Sequence, residues 1–294
     1  MLSILIPVYN YDVTPLIHEL TDQLKTLDCA YEIIILDDCS TKPELINANQ
    51  LEVIPNCSYI IQSNNLGRTA TRLNLAKMAR YDWLLFLDAD VIPKRKDFIR
   101  NLLKNINANV DIIFGGVDYQ SDEPNADIKL RWLYGRKKEI NSVDKRNKNT
   151  YTSIISQNFL IQKNMCLEVL KEIDLNRYGL DIYFSYRLEQ REAKILHIDN
   201  PTIHLGLEKN SSFVTKSMLS IETTLFLQKE LKIPKNYRPI QRAYTVLKKT
   251  CTSGLFFLLI KKFENRIVTN IKSDRPSIFL FDLYRLYYFI KIQK

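Results

Sequence analysis

The sequence predicts an α/β protein: a mainly parallel sheet with helices on both faces. Three observations carry that expectation. Short continuous apolar runs, such as SILIPV at 3–8 and WLLFL at 83–87, alternate with stretches whose apolar residues recur at helical spacing. Strands buried on both faces read as continuous apolar runs, and parallel neighbours need a crossover helix between them. Polar residues follow directly on the runs, at Asn10, Asp37, Asp38, Asp88 and Asp90. In open α/β sheets the ligand lies outside the carboxyl ends of the strands, so these residues are expected to converge on one crevice.

Each element follows from its local pattern. The first strand is read at 3–8, the second at 32–36 (EIIIL), a third at 59–62, a fourth at 83–87 and a fifth at 110–114 before Gly115-Gly116. Between them, 14–27 places Leu16, Ile17, Leu20, Leu24 and Leu27 on one helical face, and 69–80 turns Leu73, Ala76, Met78 and Ala79 inward. A helix is expected at 96–106. Residues 120–150 are polar and charged and read as a helix plus a loop. Order returns with a strand at 157–161, helices at 163–173 and 181–191, and short strands at 194–198 and 202–205 around Asn200-Pro201. The composition turns basic and aromatic after Pro234, which sets a boundary between a domain at 1–234 and a helical extension at 235–294. No internal repeat is visible.

Composition excludes several classes. Of 294 residues, 46% are hydrophobic and 26% charged, which is ordinary for a globular chain and unlike a disordered one. The seven glycines are too few for a Gly-rich phosphate loop, which argues against a nucleotidyltransferase. Cys29, Cys39, Cys57, Cys166 and Cys251 are scattered and odd in number, with no C-x-x-C pair, so neither a disulfide framework nor a structural zinc site is expected. Residues 1–8 lack the basic region of a secretory leader, and no apolar run approaches the roughly 20 residues that span a bilayer. The expectation is a cytoplasmic protein with reduced thiols.

The net charge of +9 is unevenly placed. Residues 235–294 carry 13 Lys and Arg against 3 Asp and Glu, which leaves 29 and 30 for residues 1–234. A nucleic-acid reader would show its basic excess within a recognisable reading motif, and none is present; nucleic acid is therefore not an expected partner. Apolar or amphipathic helix candidates at 255–263 (LFFLLIKKF) and 278–292 (IFLFDLYRLYYFIKI) suit an anionic membrane surface at the inner face of the cell membrane. Packing on the catalytic domain, or a dimer contact, is the competing role.

Five segments can carry chemistry. In LFLDAD, Asp88 and Asp90 stand at i and i+2 after a buried strand; paired carboxylates suit Mg²⁺ or Mn²⁺, which also engage phosphate oxygens. Taken alone, the pair is equally an acidic turn. In IIILDDCS, Asp37 and Asp38 reach the same sheet edge, able to accept from a base N–H or ribose hydroxyl, or to cap a helix. In NNLGRTATR, a Gly67 turn opens a helix with Arg68 and Arg72 one turn apart on one face. In YGLD, Asp181 enters a helix after Gly179, where it can take a proton from a hydroxyl or cap the helix. In HIDNPTIHLG, His204 can offer an imidazole to a metal, whereas His197 suits a structural role.

In combination and in order, residues 4–10, 32–40, 65–67 with Arg72, 86–90, 179–188 and 200–206 closely resemble the family 2 glycosyltransferases over roughly 1–206. That resemblance implies a GT-A fold and an inverting, metal-dependent hexosyltransferase. It implies that Pro7, Val8, Tyr9 and Asn10 lie against the nucleotide, with Gly67 and Arg72 beside them, and that Asp38 reads the uracil. Asp88, Ala89 and Asp90 match the D-x-D segment that holds the donor diphosphate through Mn²⁺ or Mg²⁺, with His204 as a further metal contact, and Asp181 matches the catalytic base. The implied donor is a UDP-linked hexose or N-acetylhexosamine. The implied acceptor is a glycan or lipid-linked glycan in bacterial surface polysaccharide synthesis. Three positions depart from the family pattern: Leu180 stands where a Glu usually precedes the base, Val91 where a third acid is common, and Leu73 where Asn is common. A non-catalytic nucleotide-sugar-binding protein is the alternative, which the presence of Asp88, Asp90 and Asp181 disfavours.

Overall fold

The computed structural model describes residues 1–42, 50–51, 53–107, 109–173, 175–230 and 232–293. The chain forms two compact units. The first comprises Met1–Gln120, Glu139–Asn176 and Phe184–Gly206; the second comprises Ser121–Lys138, Arg177–Tyr183 and Leu207–Lys294.

The first unit is built on a seven-stranded sheet of β1 (Leu2–Val8), β2 (Tyr31–Asp37), β3 (Cys57–Ile61), β4 (Trp83–Leu87), β6 (Ile112–Phe114), β8 (Asn158–Gln162) and β9 (Ile195–His197), in the order β3-β2-β1-β4-β8-β6-β9. The pairs β3/β2, β2/β1, β1/β4 and β6/β9 are parallel; β8 alone runs against both its neighbours. The strands β1, β2, β4, β6 and β8 are largely buried, as the unbroken apolar runs require, whereas the edge strand β3 leaves Ile61 63% exposed. On one face, Leu16, Ile17, Leu20 and Leu24 of helix Thr14–Leu24 join Ile4, Ile6, Ile33, Ile35, Leu85 and Leu87 in one core. Helices Arg68–Met78 and Lys163–Leu170 pack together, the former against β1 as well.

A second, three-stranded sheet of β5 (Val91–Pro93), β10 (Thr202–His204) and β7 (Val117–Tyr119) was not foreseen for β5 and β7. Each strand is three residues long, too short to show a period. β10 lies antiparallel to β5 and parallel to β7, with His204 in register with Val91 and with Tyr119. This small sheet positions the site.

The second unit is helical. Helices Lys129–Tyr134, Asn210–Lys229, Ser253–Ile271 and Ile278–Lys291 share a core of Leu130, Phe213, Met218, Ile221, Leu225, Ile260, Ile267, Ile271, Phe281 and Phe289. Helix Pro239–Lys249 adds Ile240 and Tyr244 at its margin. Pro234, where the composition changes, lies inside this unit and not at its edge. Helix Asn210–Lys229 precedes it yet contributes to the same core, because the shift to basic residues marks a surface and not core membership. Segment 278–292, read from sequence as a surface candidate, lends one side to the core: Ile278, Phe281, Tyr287, Phe289 and Ile290 are buried, while Phe279 is 69% exposed. No helix of the described residues is long and apolar enough to cross a membrane.

Candidate active site

The site of the first unit grows from the carboxyl end of β4. The chain leaves Leu87 at Asp88, whose N–H donates to the Gln157 carbonyl at 3.0 Å. Helix Arg68–Met78 then supplies two guanidinium groups to the same carboxylate. Arg72 donates to Asp88 Oδ1 at 2.7 Å and also to the Ser156 carbonyl, and Arg68 pairs with Asp88 Oδ2. The i, i+4 spacing puts both arginines on one helical face, as the sequence suggested. Arg72 is buried and lies over the Phe159 ring at 5.8 Å. Asp88 is thus neutralised by protein cations on both oxygens.

Asp90 is held separately. Its carbonyl accepts the Leu205 N–H at 2.8 Å, which closes the β5/β10 ladder and brings His204 alongside. His204 Nε2 and Asp90 Oδ2 are 3.1 Å apart. Burial pushes the Asp90 carboxyl up, but the His204 hydrogen bond and the charges of His204 and Arg68 outweigh it and leave it below the usual carboxylate range. Gly206 is required here: a Cβ at that position would overlap the Asp90 carboxylate. Tyr119 of β7 meets the His204 ring edge-on at 5.6 Å, and its hydroxyl bonds Glu139. Tyr11 is close enough that, after burial, the Asp90 charge is the next cause of its raised pKa.

Of the expected metal set of Asp88, Asp90 and His204, the structure brings Asp90 and His204 into direct contact and holds Asp88 on two arginines at the same strand end. Among the described residues, no group of three or more His, Cys, Asp or Glu side chains is gathered to hold a metal ion. Asp90 and His204 meet; Asp88 is claimed by the two arginines, because helix Arg68–Met78 directs them at it. The Asp90–His204 pair fits a divalent cation. Asp90 Oδ2 and His204 Nε2 share a hydrogen bond, so the two donor atoms already stand side by side where one ion could replace the shared proton. Carboxylate plus imidazole suits Mn²⁺, and the buried His204 Nδ1 has no hydrogen-bond partner of its own.

The residues expected to face the nucleotide lie at the neighbouring strand ends. Pro7 and Val8 end β1 in register with Leu36 and Asp37; Val8 is buried, whereas Tyr9 is 48% exposed. Asn10 adopts φ +51°, its N–H donates to Ser40 Oγ at 2.8 Å, and its side chain bonds Thr41 and the Lys42 N–H. Asp38 is buried and organises the turn before helix Arg68–Met78. Its Oδ1 accepts from the Leu66 N–H at 2.7 Å and from Gln62 at 2.9 Å, and its Oδ2 accepts from the Gly67 N–H at 2.9 Å. A carboxylate has about four acceptor positions, so three are used by the chain itself. Gly67 has φ +81° and faces Asn176 where a Cβ would go, so the turn needs glycine. Ala89 packs against the main core between the two acids.

Asp181 belongs to the second unit, as the first residue of helix Asp181–Gln190, where a carboxylate complements the helix dipole. Gly179, at φ +91°, lies against Ser220. Ser220 and Thr224 accept from Arg238 at 3.4 and 3.1 Å. Burial and the charge of Arg285 lower the Arg238 pKa to about 10, while Tyr134 and Asp181 act in the opposite sense. His197 is structural: it is buried, bonds the Thr150 carbonyl at 2.9 Å and stacks edge-on with Phe114.

The family model of glycosyl transferase family 2 matches residues 3–167. The chain belongs to that family. An uncharacterized glycosyltransferase of Haemophilus influenzae is 33% identical over 118 residues; the match spans 39% of this chain and 38% of that relative's length. Among solved structures, a mannosyltransferase of Pyrobaculum calidifontis in complex with GDP-Man and Mn²⁺ aligns with a TM-score of 0.57 at 13% identity, over 99% of this chain and 86% of that one. Glucosyl-3-phosphoglycerate synthase of Mycobacterium tuberculosis, in complex with Mn²⁺, UDP and glucosyl-3-phosphoglycerate, aligns with a TM-score of 0.51 at 15% identity, over 80% and 81%. At these identities the likeness is one of fold, and the fold is GT-A. In this family 2 chain, the sequence assigned no role to Tyr11 or Tyr119, and included Gly206 in the 200–206 segment without a role of its own. Gly206 carried a usable signal: it is one of only seven glycines and stands two residues after His204.

Proposed function

We propose that this chain is an inverting glycosyltransferase that moves a hexose or N-acetylhexosamine from a nucleotide-sugar donor to a hydroxyl of a glycan or lipid-linked glycan. The observation that carries this reading is the closure of Asp90 on His204 beside an arginine-held Asp88, at the strand end of a family 2 chain. Asp90 and His204, with Asp88 at the same strand end, are the residues that would hold Mn²⁺ or Mg²⁺. The bound ion supplies positive charge to a departing diphosphate. Arg68 and Arg72 fix Asp88 and add permanent positive charge at the same strand end. Segment Pro7, Val8, Tyr9 and Asn10 forms the wall for the nucleotide, with Asp38 holding the Gly67 turn and keeping one acceptor position for the base.

Asp181 is the proposed base. It takes the acceptor hydroxyl proton; the acceptor oxygen bonds to the anomeric carbon as that carbon's bond to the diphosphate oxygen breaks, and the anomeric centre inverts. UDP is the proposed nucleotide, and surface polysaccharide synthesis the proposed setting. A panel of UDP-, GDP- and dTDP-sugars, assayed for nucleotide release with Mn²⁺, Mg²⁺ and EDTA, tests this. Metal-dependent release from one donor is expected. Release that EDTA leaves untouched, or nucleotide release without sugar transfer from any donor when an acceptor extract is supplied, contradicts the assignment.

A further inference from the structure

The second unit exposes an apolar helix face with cations set among its leucines. Helix Ser253–Ile271 buries Ile260, Ile267 and Ile271 on one side. At 100° per residue, Leu255, Leu258, Leu259, Lys262 and Arg266 fall together on the opposite side. The three leucines are 72%, 64% and 52% exposed, so the face is open and uncovered by the unit's own core. Phe263 borders it, with the Lys262 and Arg266 charges about its ring at 6.0 and 5.9 Å. Lys261 is also exposed. The helix's one acid, Glu264, turns inward to Tyr287 at 3.0 Å.

A folded surface seldom leaves a row of leucines in water unless something covers it. The occupant must accept leucine side chains and several cations together, with no acidic side chain interposed. An anionic lipid surface does both: acyl boundaries take the leucines and the lipid phosphates take the lysines. A second copy of the same face would oppose like charges across the contact, which disfavours self-association.

We propose that the outward face of helix Ser253–Ile271 docks this protein on an anionic lipid bilayer, with Leu255, Leu258 and Leu259 entering the headgroup boundary, Lys262 and Arg266 contacting lipid phosphates from the face and Lys261 from its flank. This goes beyond the transfer reaction and is independent of it. It also assigns the contact to one helix, whereas helix Ile278–Lys291 spends its apolar residues on the core and exposes only Phe279 strongly.

The test is flotation of the full chain with vesicles of phosphatidylcholine alone and with 30% phosphatidylglycerol, a composition typical of such assays (about one anionic lipid in three). Strong binding to the anionic vesicles and little to the neutral ones is expected. The double variant Leu258→Glu/Leu259→Glu should lose about tenfold or more in bound fraction, and Lys261→Gln/Lys262→Gln a comparable amount at low salt, with melting temperature unchanged. Failure of the folded full chain to float with anionic vesicles overturns the proposal. Equal flotation with the neutral vesicles overturns it too, as does a wild-type dimer in sedimentation that the leucine variant converts to a monomer.

Discussion

Asp90 and Asp88 share one motif but differ in what surrounds them, and that difference decides what each can do. Asp88 has both oxygens on arginines, and the Arg72 end of this network is buried. Arg72→Met leaves Asp88 paired with Arg68 but removes the hydrogen bond to the Ser156 carbonyl, so it should lower the unfolding free energy by about 1–3 kcal/mol, measured by denaturant titration; no measurable loss would contradict a structural role for the buried guanidinium. Asp181→Asn should reduce transfer by at least about 10³-fold while donor affinity stays within about twofold, because a base acts only in the reaction step. His197 carries the pH dependence. Burial lowers its pKa, so the folded state resists protonation and the unfolded state binds the proton. Stability attributable to His197 is then complete above its ordinary value of 6.5 and declines as pH falls toward the lowered one. Melting temperature should drop between pH 7 and pH 5 in the native protein and drop less in His197→Gln; equal slopes would remove His197 as the cause.

At the scale of elements, the site depends on a ladder of three residues. β10 delivers His204 to Asp90 across 114 positions of sequence, and Gly206 leaves room for the carboxylate. Gly206→Ala should destabilise by only about 1–3 kcal/mol, as overpacking does, yet displace Asp90 and suppress Mn²⁺ binding; Mn²⁺ binding retained at native affinity would contradict the close approach. The same ladder shows what was legible beforehand. Strands of five to seven apolar residues such as β1, β2 and β4 were readable because burial on both faces leaves an unbroken run. β5 and β7 were not, since three residues show no period. Helix Asn210–Lys229 was also missed: it buries Asn210, Ser217, Thr223 and Thr224 among Phe213, Val214, Ile221 and Leu225, which blurs any one-sided stripe. Asp88 and Asp90 could be picked out as a pair, but not that arginines would take one and a histidine the other. That division arises from two elements, helix Arg68–Met78 and β10, approaching from different directions.

For the whole molecule, the two units carry different chemistry and different charge. Asn10, Asp38, Asp88, Asp90 and His204, the proposed donor residues, lie in the first unit, and Asp181 and the cationic leucine face in the second. The chain's two tryptophans divide between them, Trp83 on β4 and Trp132 in helix Lys129–Tyr134. Single-tryptophan variants Trp132→Phe and Trp83→Phe can thus report each unit. Nucleotide with Mn²⁺ at about 100 Kd should stabilise the Trp83-reported transition by ~2.7 kcal/mol and the Trp132-reported one by less. Equal shifts would mean that the two unfold as one. The central claim is a donor site organised on Asp90 and His204, and calorimetry of UDP, GDP and dTDP with and without Mn²⁺ tests it most directly. One nucleotide should bind the native protein only with the metal, and that binding should weaken about 10- to 100-fold in His204→Ala and vanish in Asp90→Asn. Metal-independent binding of the nucleotide, or undiminished affinity in Asp90→Asn, would contradict it.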